Sequence, residues 1–282
     1  MKSKMRLIFT IAITIIFFLL LGVVSISTGF ILAEQISNYD LEAYCWINGM
    51  AQFILSVGII FIMRKAEIFD KRDFTLTGLG RGMFSGLVGV IFGIFMFLVN
   101  LIGNLPFIQI PDFSYLLAGI LIAFTTGLFE EVLVRGFTFK SLLKYYGSSV
   151  AGIKRSIIWS SVLFGAMHVV NLSGYDLASV LTTVSQIISA VIIGIYFALV
   201  YVQSKNLLAV TIVHALIDGA TFVLYSLLST QAFQSTASET LSTFDIVLQD
   251  FVVSLAIMAP FLVAVMIKWR KLKVSFMETE ME

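Results

Sequence analysis

The chain contains eight long stretches of consecutive apolar residues, and this feature restricts its possible folds more than any other. A helix needs about 20 apolar residues to cross the hydrocarbon core of a bilayer. The stretches run roughly over 7–33, 44–63, 83–105, 114–134, 156–172, 177–203, 207–228 and 246–267. They do not alternate with polar residues, so they predict helices and not the strands of a β-barrel. We expect an all-α, polytopic membrane protein of about eight transmembrane helices, with residues 1–282 forming a single transmembrane domain.

The composition excludes several other classes of protein. Of the 282 residues, 59% are hydrophobic and 12% are charged, whereas soluble domains have about 25% charged residues. The net charge of +1 gives no electrostatic reason to expect a nucleic-acid partner, so membrane lipid is the expected surrounding. The single cysteine, Cys45, cannot form an intramolecular disulfide. A soluble enzyme, a disordered chain and a nucleic-acid binder are therefore poor interpretations.

The lysines and arginines predict the orientation of the chain in the membrane. All 18 lie before span one, between spans two and three, from the end of span four to span five, after span six, or after span eight. The connections 34–43, 106–112, 173–176 and 229–245 contain none. Because cytoplasmic connections are enriched in Lys and Arg, we expect both termini to be cytoplasmic, which requires an even number of spans.

Six ionisable residues lie together in three short apolar segments. Charged groups at membrane depth are costly, so such residues are functional candidates. The segments are Phe129–Gly136, which reads FEEVLVRG, Phe164–His168, which reads FGAMH, and His214–Asp218, which reads HALID. The two histidines of the whole chain are both included. The candidate site residues are Glu130, Glu131, Arg135, His168, His214 and Asp218.

Helical spacing separates the two adjacent glutamates. Glu131 and Arg135 are four residues apart, so they lie on one helix face and can form an ion pair. Glu130 is rotated by about 100° from Glu131, because an α-helix has about 3.6 residues per turn. We therefore expect one carboxylate to be neutralised by the arginine and the other to stay free.

The remaining three residues come from two other helices. His214 and Asp218 are also four residues apart, and His168 lies on a third helix. If the helices touch, one free carboxylate, two imidazoles and an aspartate converge, which suits a water-activating acid–base site or a metal site with open positions. Taken singly, a Glu–Arg pair is often a packing clamp and a membrane histidine an interhelical hydrogen bond. The hypothesis therefore depends on the whole set being together.

These three segments, in this order, resemble the CPBP family of intramembrane proteases, also called CAAX proteases, Abi proteins or type II CAAX endopeptidases. The family pattern is Glu-Glu-x-x-x-Arg, then Phe-x-x-x-His, then His-x-x-x-Asn/Asp, on three helices. It is matched here by Glu130–Arg135, Phe164–His168 and His214–Asp218. The resemblance covers about residues 114–220, which are expected to form the catalytic core helices.

The resemblance implies hydrolysis of a peptide bond inside the membrane. It implies that Glu130 activates water, that His168 is its catalytic partner, and that His214 and Asp218 hold the oxyanion or a metal. Glu131 and Arg135 would then have a supporting structural role. This implication agrees with the helical spacing, which assigns Arg135 to Glu131 and leaves Glu130 free.

One position differs from many members of the family. Residue 218 is Asp, where many members have Asn. An asparagine can donate a hydrogen bond to an oxyanion, whereas an ionised aspartate cannot. We therefore expect Asp218 to orient His214 or to ligate a cation, which favours a metal-assisted site such as Zn²⁺ bound by Glu130, His168 and His214.

The depth of these residues adds a constraint on span five. Counted from the flanking basic residues, His168 lies deeper than Glu130 or His214. We therefore expect span five to tilt or to begin later, around Ser160. The site would then lie in the inner half of the bilayer and open toward the cytoplasm.

The expected substrate is a membrane-associated peptide or a lipidated protein. The chain is small and has apolar segments along its whole length, which suits a multi-pass protein of a prokaryotic plasma membrane. We expect a role in peptide or bacteriocin maturation or in self-immunity. The alternative from another class is a non-catalytic membrane scaffold, such as an immunity or sensor-regulating protein that keeps the fold. A proton-coupled transporter using Glu130 and His168 is less favoured, because such transporters have inverted repeats with broken helices.

Overall fold

The expected all-α architecture is confirmed by a computed structural model. It describes residues 2–35, 41–172, 174–228 and 243–279. These ranges are mostly helical and contain no β-strand, apart from one isolated antiparallel bridge between Ile108 and Leu228.

Ten α-helices are present in the described ranges, and short 3₁₀ turns and one π-helix connect some of them. The α-helices are α1 Lys2–Gln35, α2 Leu41–Lys65, α3 Leu79–Ser85, α4 Leu87–Gly103, α5 Phe113–Glu131, α6 Lys140–Tyr146, α7 Val150–Met167, α8 Leu177–Ser204, α9 Leu207–Leu227 and α10 Thr243–Thr279. The π-helix is Val132–Phe139, and it makes α5 and α6 parts of one continuous rod.

Each of the eight apolar stretches falls on helical structure, but the span count itself stays a prediction. Within the described ranges, five helical rods are long and apolar enough to cross a membrane: most of α1, all of α2, the rod over 113–146, α8 and α9. The α3–α4 pair forms a sixth candidate span with a bend of 69°. Neither α7 nor α10 is among these six, so eight spans and cytoplasmic termini remain expectations.

Hydrogen bonds between connections define the two ends of the bundle. At the end that we call the basic end, Asn206 Nδ2 donates to the carbonyl oxygens of Thr75 and Thr77, at 2.8 and 3.1 Å. At the opposite end, Ser114 Oγ donates to Glu42 at 2.6 Å, joining the starts of α2 and α5. We call this second end the acidic end, since its connections contain acidic residues and no Lys or Arg.

Glycines allow the helix pairs around the site to approach closely. A Cβ atom on Gly127 of α5 would lie 3.0 Å from the carbonyl oxygen of Thr211 in α9. A Cβ atom on Gly165 of α7 would lie 2.4 Å from a methyl group of Val191 in α8. Since side chains would not fit at these crossings, α5 packs tightly on α9 and α7 packs tightly on α8.

The turn between α6 and α7 explains why Glu130 and His168 lie at a similar depth, although the sequence predicted different depths for them. Gly147 has a φ of 84°, a left-handed conformation that glycine adopts without strain, and it ends α6. Glu130 lies 16 residues before Tyr146, the last residue of α6, and His168 lies 18 residues after Val150. The two arms of this hairpin have similar lengths, so both residues lie at a similar height. Of the two expectations for span five, the later start near Ser160 was wrong, because α7 begins at Val150, and the tilt stays a prediction.

Candidate active site

The first motif lies where α5 changes into the π-helix. The sequence predicted a continuous α-helical span over 114–134, whereas α-helical hydrogen bonding ends at Glu131. Thr138 Oγ1 donates to the carbonyl oxygen of Leu133, five residues earlier, at 2.8 Å. All eight residues of the π-helix are buried. Such segments are uncommon and occur frequently at functional sites.

Glu131 and Arg135 form the expected ion pair, and both side chains have an exposed fraction of 0%. Arg135 Nη1 donates to Glu131 Oε1 at 2.7 Å, and Nη2 donates to the carbonyl oxygen of Gly194 in α8 at 2.9 Å. The guanidinium carbon lies 4.9 Å from the ring centre of Phe164 and 5.4 Å from that of Phe197. The arginine therefore ties the π-helix to α7 and α8.

His214 lies against the same carboxylate. Its Nδ1 is 2.8 Å from Glu131 Oε1, and since a carboxylate paired with arginine accepts hydrogen bonds, Nδ1 is the donor. The other ring nitrogen, Nε2, faces Glu130 Oε2 at 3.5 Å and Asp218 Oδ2 at 3.6 Å. Glu131 therefore accepts the short hydrogen bond that fixes the ring, and Asp218 lies at the second nitrogen, so its expected role in orienting His214 or ligating a cation stays a prediction.

Glu130 and Asp218 differ from Glu131 in their surroundings. The side chain of Glu130 is 12% exposed and that of Asp218 is 21% exposed, and both face the same nitrogen of His214. Asp218 Oδ2 is itself buried and makes no hydrogen bond to the described residues. Two carboxylates without an arginine therefore lie beside one imidazole.

His168 joins the group from the end of α7. Its Nδ1 is 3.0 Å from the carbonyl oxygen of Phe164, which can only accept, so Nδ1 carries the proton and Nε2 is left for other contacts. The ring of Phe164 packs edge-on against His168 at 5.0 Å and against His214 at 6.3 Å, measured between ring centres. One aromatic side chain thus contacts both imidazoles.

These groups line one cavity of about 400 Å³ between α2, α5, α7, α8 and α9. Glu130, His168, His214 and Asp218 all contribute to its wall. The residues that follow Glu130, from Glu131 to Phe139, are buried and close its floor, whereas Asn171 and Gln186 on its wall are exposed. The exposed part of the cavity wall therefore lies toward the acidic end of the bundle, and not toward the basic end, where the opening was expected.

Helix α2 contributes polar residues to this cavity that were not predicted as part of the site. Asn48 and Gln52 line it, although their segment was regarded only as an apolar span. Oε1 of Gln52 lies 3.0 Å from the Thr125 hydroxyl and 2.9 Å from the Thr126 hydroxyl. Two amides four residues apart in an apolar span are a signal for a polar helix face, but the predicted site included only ionisable residues.

The zinc ligands expected from the sequence do not form a recognisable metal centre. Over 2–35, 41–172, 174–228 and 243–279, there is no group of three or more His, Cys, Asp or Glu side chains arranged to hold a metal ion. His214 uses one nitrogen for Glu131, and its other nitrogen faces two carboxylates. Zinc held by Glu130, His168 and His214 stays a prediction, and the chemistry below uses only the side chains of the chain itself.

Fold and site together define a helical membrane protein with a carboxylate–histidine cavity between its helices. Residues 112–220 match the family model described as type II CAAX prenyl endopeptidase, Rce1-like. The match contains all six candidate site residues and confirms the resemblance to the CPBP family, which supports intramembrane protease activity in general. Neither the curated proteins nor the solved structures gave a match.

Proposed function

We propose that this protein is an intramembrane endopeptidase in which Glu130 activates the attacking water. The observation that supports this proposal is the contrast between the two adjacent glutamates. Glu131 is enclosed by Arg135 and His214, whereas Glu130 lies on the cavity wall with no arginine beside it. A positioned carboxylate in a partly closed cavity is a suitable general base.

The hydrolytic step uses residues that line the cavity. Glu130 takes a proton from water while the water oxygen attacks the carbonyl carbon of the scissile bond. His168 has Nε2 available to hold the same water, because its Nδ1 is engaged with Phe164. The proton then passes from Glu130 to the amide nitrogen as the C–N bond breaks, so one water is consumed and two peptide products form.

His214 is placed to stabilise the oxyanion of the tetrahedral intermediate. Glu131 accepts from its Nδ1, which fixes the ring and directs Nε2 toward the cavity. With a proton on Nε2, the imidazole donates to the oxyanion, as preorganised donors do in other hydrolases. Asp218 cannot make this donation when it is ionised, so we assign it to holding the proton on Nε2 at a distance of 3.6 Å.

The proposal also covers the class of substrate and the membrane in which the protein acts. The substrate is a membrane-associated peptide or a lipidated protein, and the proposed roles are peptide or bacteriocin maturation and self-immunity at a prokaryotic plasma membrane. If a zinc ion does take part, Glu130, His168 and His214 are the residues that would hold it. Bound zinc would supply Lewis-acid activation of the water.

Glu130→Gln tests the proposal, since the amide keeps the shape of the side chain but cannot accept the proton. Cleavage of a peptide pool by the purified protein in detergent, followed by mass spectrometry, is expected to fall by about 10²–10⁴-fold. The matched control is Glu67→Gln, an exposed carboxylate at the basic end, which should cleave like the wild type. Equal cleavage by Glu130→Gln and wild type would contradict the role of Glu130, and absence of cleavage by both proteins would favour the non-catalytic scaffold.

A further inference from the structure

The exposed residues on the wall of this cavity, Asn171 and Gln186, lie toward one end of the bundle. The outer wall of the cavity is formed by the start of α2 at Tyr44, by Asn171 just after α7, by the first half of α8 at Gln186 and by the last turns of α9 at Phe222. All four positions lie toward the acidic end. Asn171 Nδ2 donates to Gln186 Oε1 at 3.1 Å, and both residues are exposed.

The opposite direction is closed by two layers of buried polar contacts. The first is the Glu131–Arg135 pair below Glu130. The second lies five residues further along the same rod, where Lys140 pairs with Asp73, and Asp73 also accepts a hydrogen bond from the Tyr201 hydroxyl at 2.8 Å. A peptide approaching from the basic end would have to displace both layers to reach Glu130.

The distribution of lysines and arginines predicts which membrane face each end adopts. All 18 Lys and Arg residues belong to the basic side of the bundle or to Arg135, and none lies in the connections at the acidic end. Those four connections contain only carboxylates as charged groups: Glu34, Asp40, Glu42, Asp112, Asp176, Glu239 and Asp245. Since lysines and arginines are retained on the cytoplasmic side, the acidic end faces outward.

We infer that the substrate segment reaches Glu130 from the extracytoplasmic face of the membrane. The substrate class is then a membrane-associated peptide presented at the outer surface, with cationic flanks that suit the carboxylates at the acidic end, such as Glu42, Asp112 and Asp176. A lipidated protein held at the cytoplasmic surface is the disfavoured class. The cleavage part of this inference rests on the proposed endopeptidase function, whereas the direction of access rests on geometry and charge alone.

Cysteine labelling tests the direction of access without requiring any activity. In a Cys45→Ser background, which removes the single native cysteine, Asn171→Cys and Gln186→Cys place thiols at the opening. The matched control, Lys144→Cys, places an exposed thiol at the basic end. In intact cells, a membrane-impermeant maleimide should label either opening variant and should label Lys144→Cys only after permeabilisation. Labelling of Lys144→Cys alone in intact cells would overturn the inference.

A cleavage assay in oriented vesicles tests the substrate class. The probes are two synthetic peptides with the same apolar centre, one flanked by lysines and the other by glutamates. Right-side-out vesicles should cleave the lysine-flanked peptide several-fold faster than the other, and cleavage confined to inside-out vesicles would overturn the inference. Absence of cleavage even in detergent would contradict the endopeptidase function instead, and the labelling result would still decide the direction of access.

Discussion

Two buried polar networks involve the same helical rod, and each borders a cavity. Only the cavity beside the first network has carboxylates in its wall without a lysine or arginine partner. In the first, Glu131 binds both Arg135 and His214. In the second, Asp73 binds both Lys140 and Tyr201. Each network places a carboxylate between a cation and a second donor, and each joins distant parts of the chain.

The difference lies in what surrounds each network. Beside the first, Glu130 and Asp218 line an accessible cavity with a histidine, and not a lysine or arginine, next to them. In the second, Lys140 also donates to the carbonyl oxygen of Ile68 at 3.2 Å. A buried ion pair is therefore no sign of chemistry by itself, and the acid that has no lysine or arginine partner is the informative feature.

The largest effect on stability should follow removal of the cation from the first network. Arg135→Met leaves the fully buried Glu131 without its arginine, and losing one partner of a buried pair costs about 3–5 kcal/mol of unfolding free energy. Thermal unfolding in detergent measures this loss. The matched change in the second network, Lys140→Met, should cost less, because the side chain of Lys140 is 14% exposed and Asp73 keeps the tyrosine. An equal or larger loss for Lys140→Met would contradict the comparison.

A smaller loss is expected where α7 crosses α8 behind the first network. In Gly165→Ala, the new Cβ atom would lie 2.4 Å from Val191 and 2.8 Å from the carbonyl oxygen of Ile187, so the helices must separate. Overpacking of this kind costs about 1–3 kcal/mol. Gly22→Ala is the control, since nothing lies within 4 Å of its Cβ position. If both variants unfold at the same temperature, the tight α7–α8 contact is not a determinant of stability.

The smallest effects on stability are expected from two aspartates, Asp73 in the second network and Asp70 close to it in the sequence. Burial raises the pKa of Asp73 above its usual value of 3.8, whereas hydrogen bonds from Arg72 lower the pKa of Asp70 to about 2. The contribution of Asp73 to stability is therefore present below pH 3.8 and is lost as the pH rises through its raised pKa. That of Asp70 is present above pH 3.8 and is lost as the pH falls toward about 2.

Unfolding temperatures measured across this acidic range in Asp73→Asn and Asp70→Asn separate the two contributions. In the wild type, the two aspartates change the unfolding temperature in opposite directions as the pH rises. Each variant should lack the contribution of the aspartate that it replaces. The Asp70 effect should be small, because its partner Arg72 is largely exposed and surface pairs contribute at most about 1 kcal/mol. If the two substitutions altered the pH dependence of the unfolding temperature in the same direction, then burial would not be the main influence on Asp73 and hydrogen bonding the main influence on Asp70.

Much of the fold could be predicted, because its cause is local in the sequence. Continuous apolar stretches gave the positions of the helices, and the spacing of Glu131 and Arg135 gave their ion pair. The same spacing left Glu130 without the arginine, and in the structure it lies beside His214 instead. These features depend on the period of a helix and on the cost of charge in lipid, both of which a single sequence contains.

What could not be predicted depends on contacts between distant segments. The choice of Glu131 and not Asp218 as the main partner of His214 depends on how closely α5 approaches α9. The π-helix after Glu131 cannot be recognised from residue propensities, since Val132–Phe139 reads like any apolar helix. The position of the cavity depends on how α2, α5, α7, α8 and α9 pack against one another, and spacing within one helix contains no information about that.

The most direct measurement compares Glu130→Gln with Glu131→Gln in two readouts, peptide cleavage and thermal unfolding in detergent. We expect Glu130→Gln to unfold near the wild-type temperature and to lose cleavage, since its carboxylate faces the cavity. We expect Glu131→Gln to lose about 3–5 kcal/mol of unfolding free energy, since it leaves Arg135 unpaired in a fully buried position. Normal cleavage by Glu130→Gln, or an equal loss of stability in both variants, would contradict the separation of a reactive glutamate from a structural one.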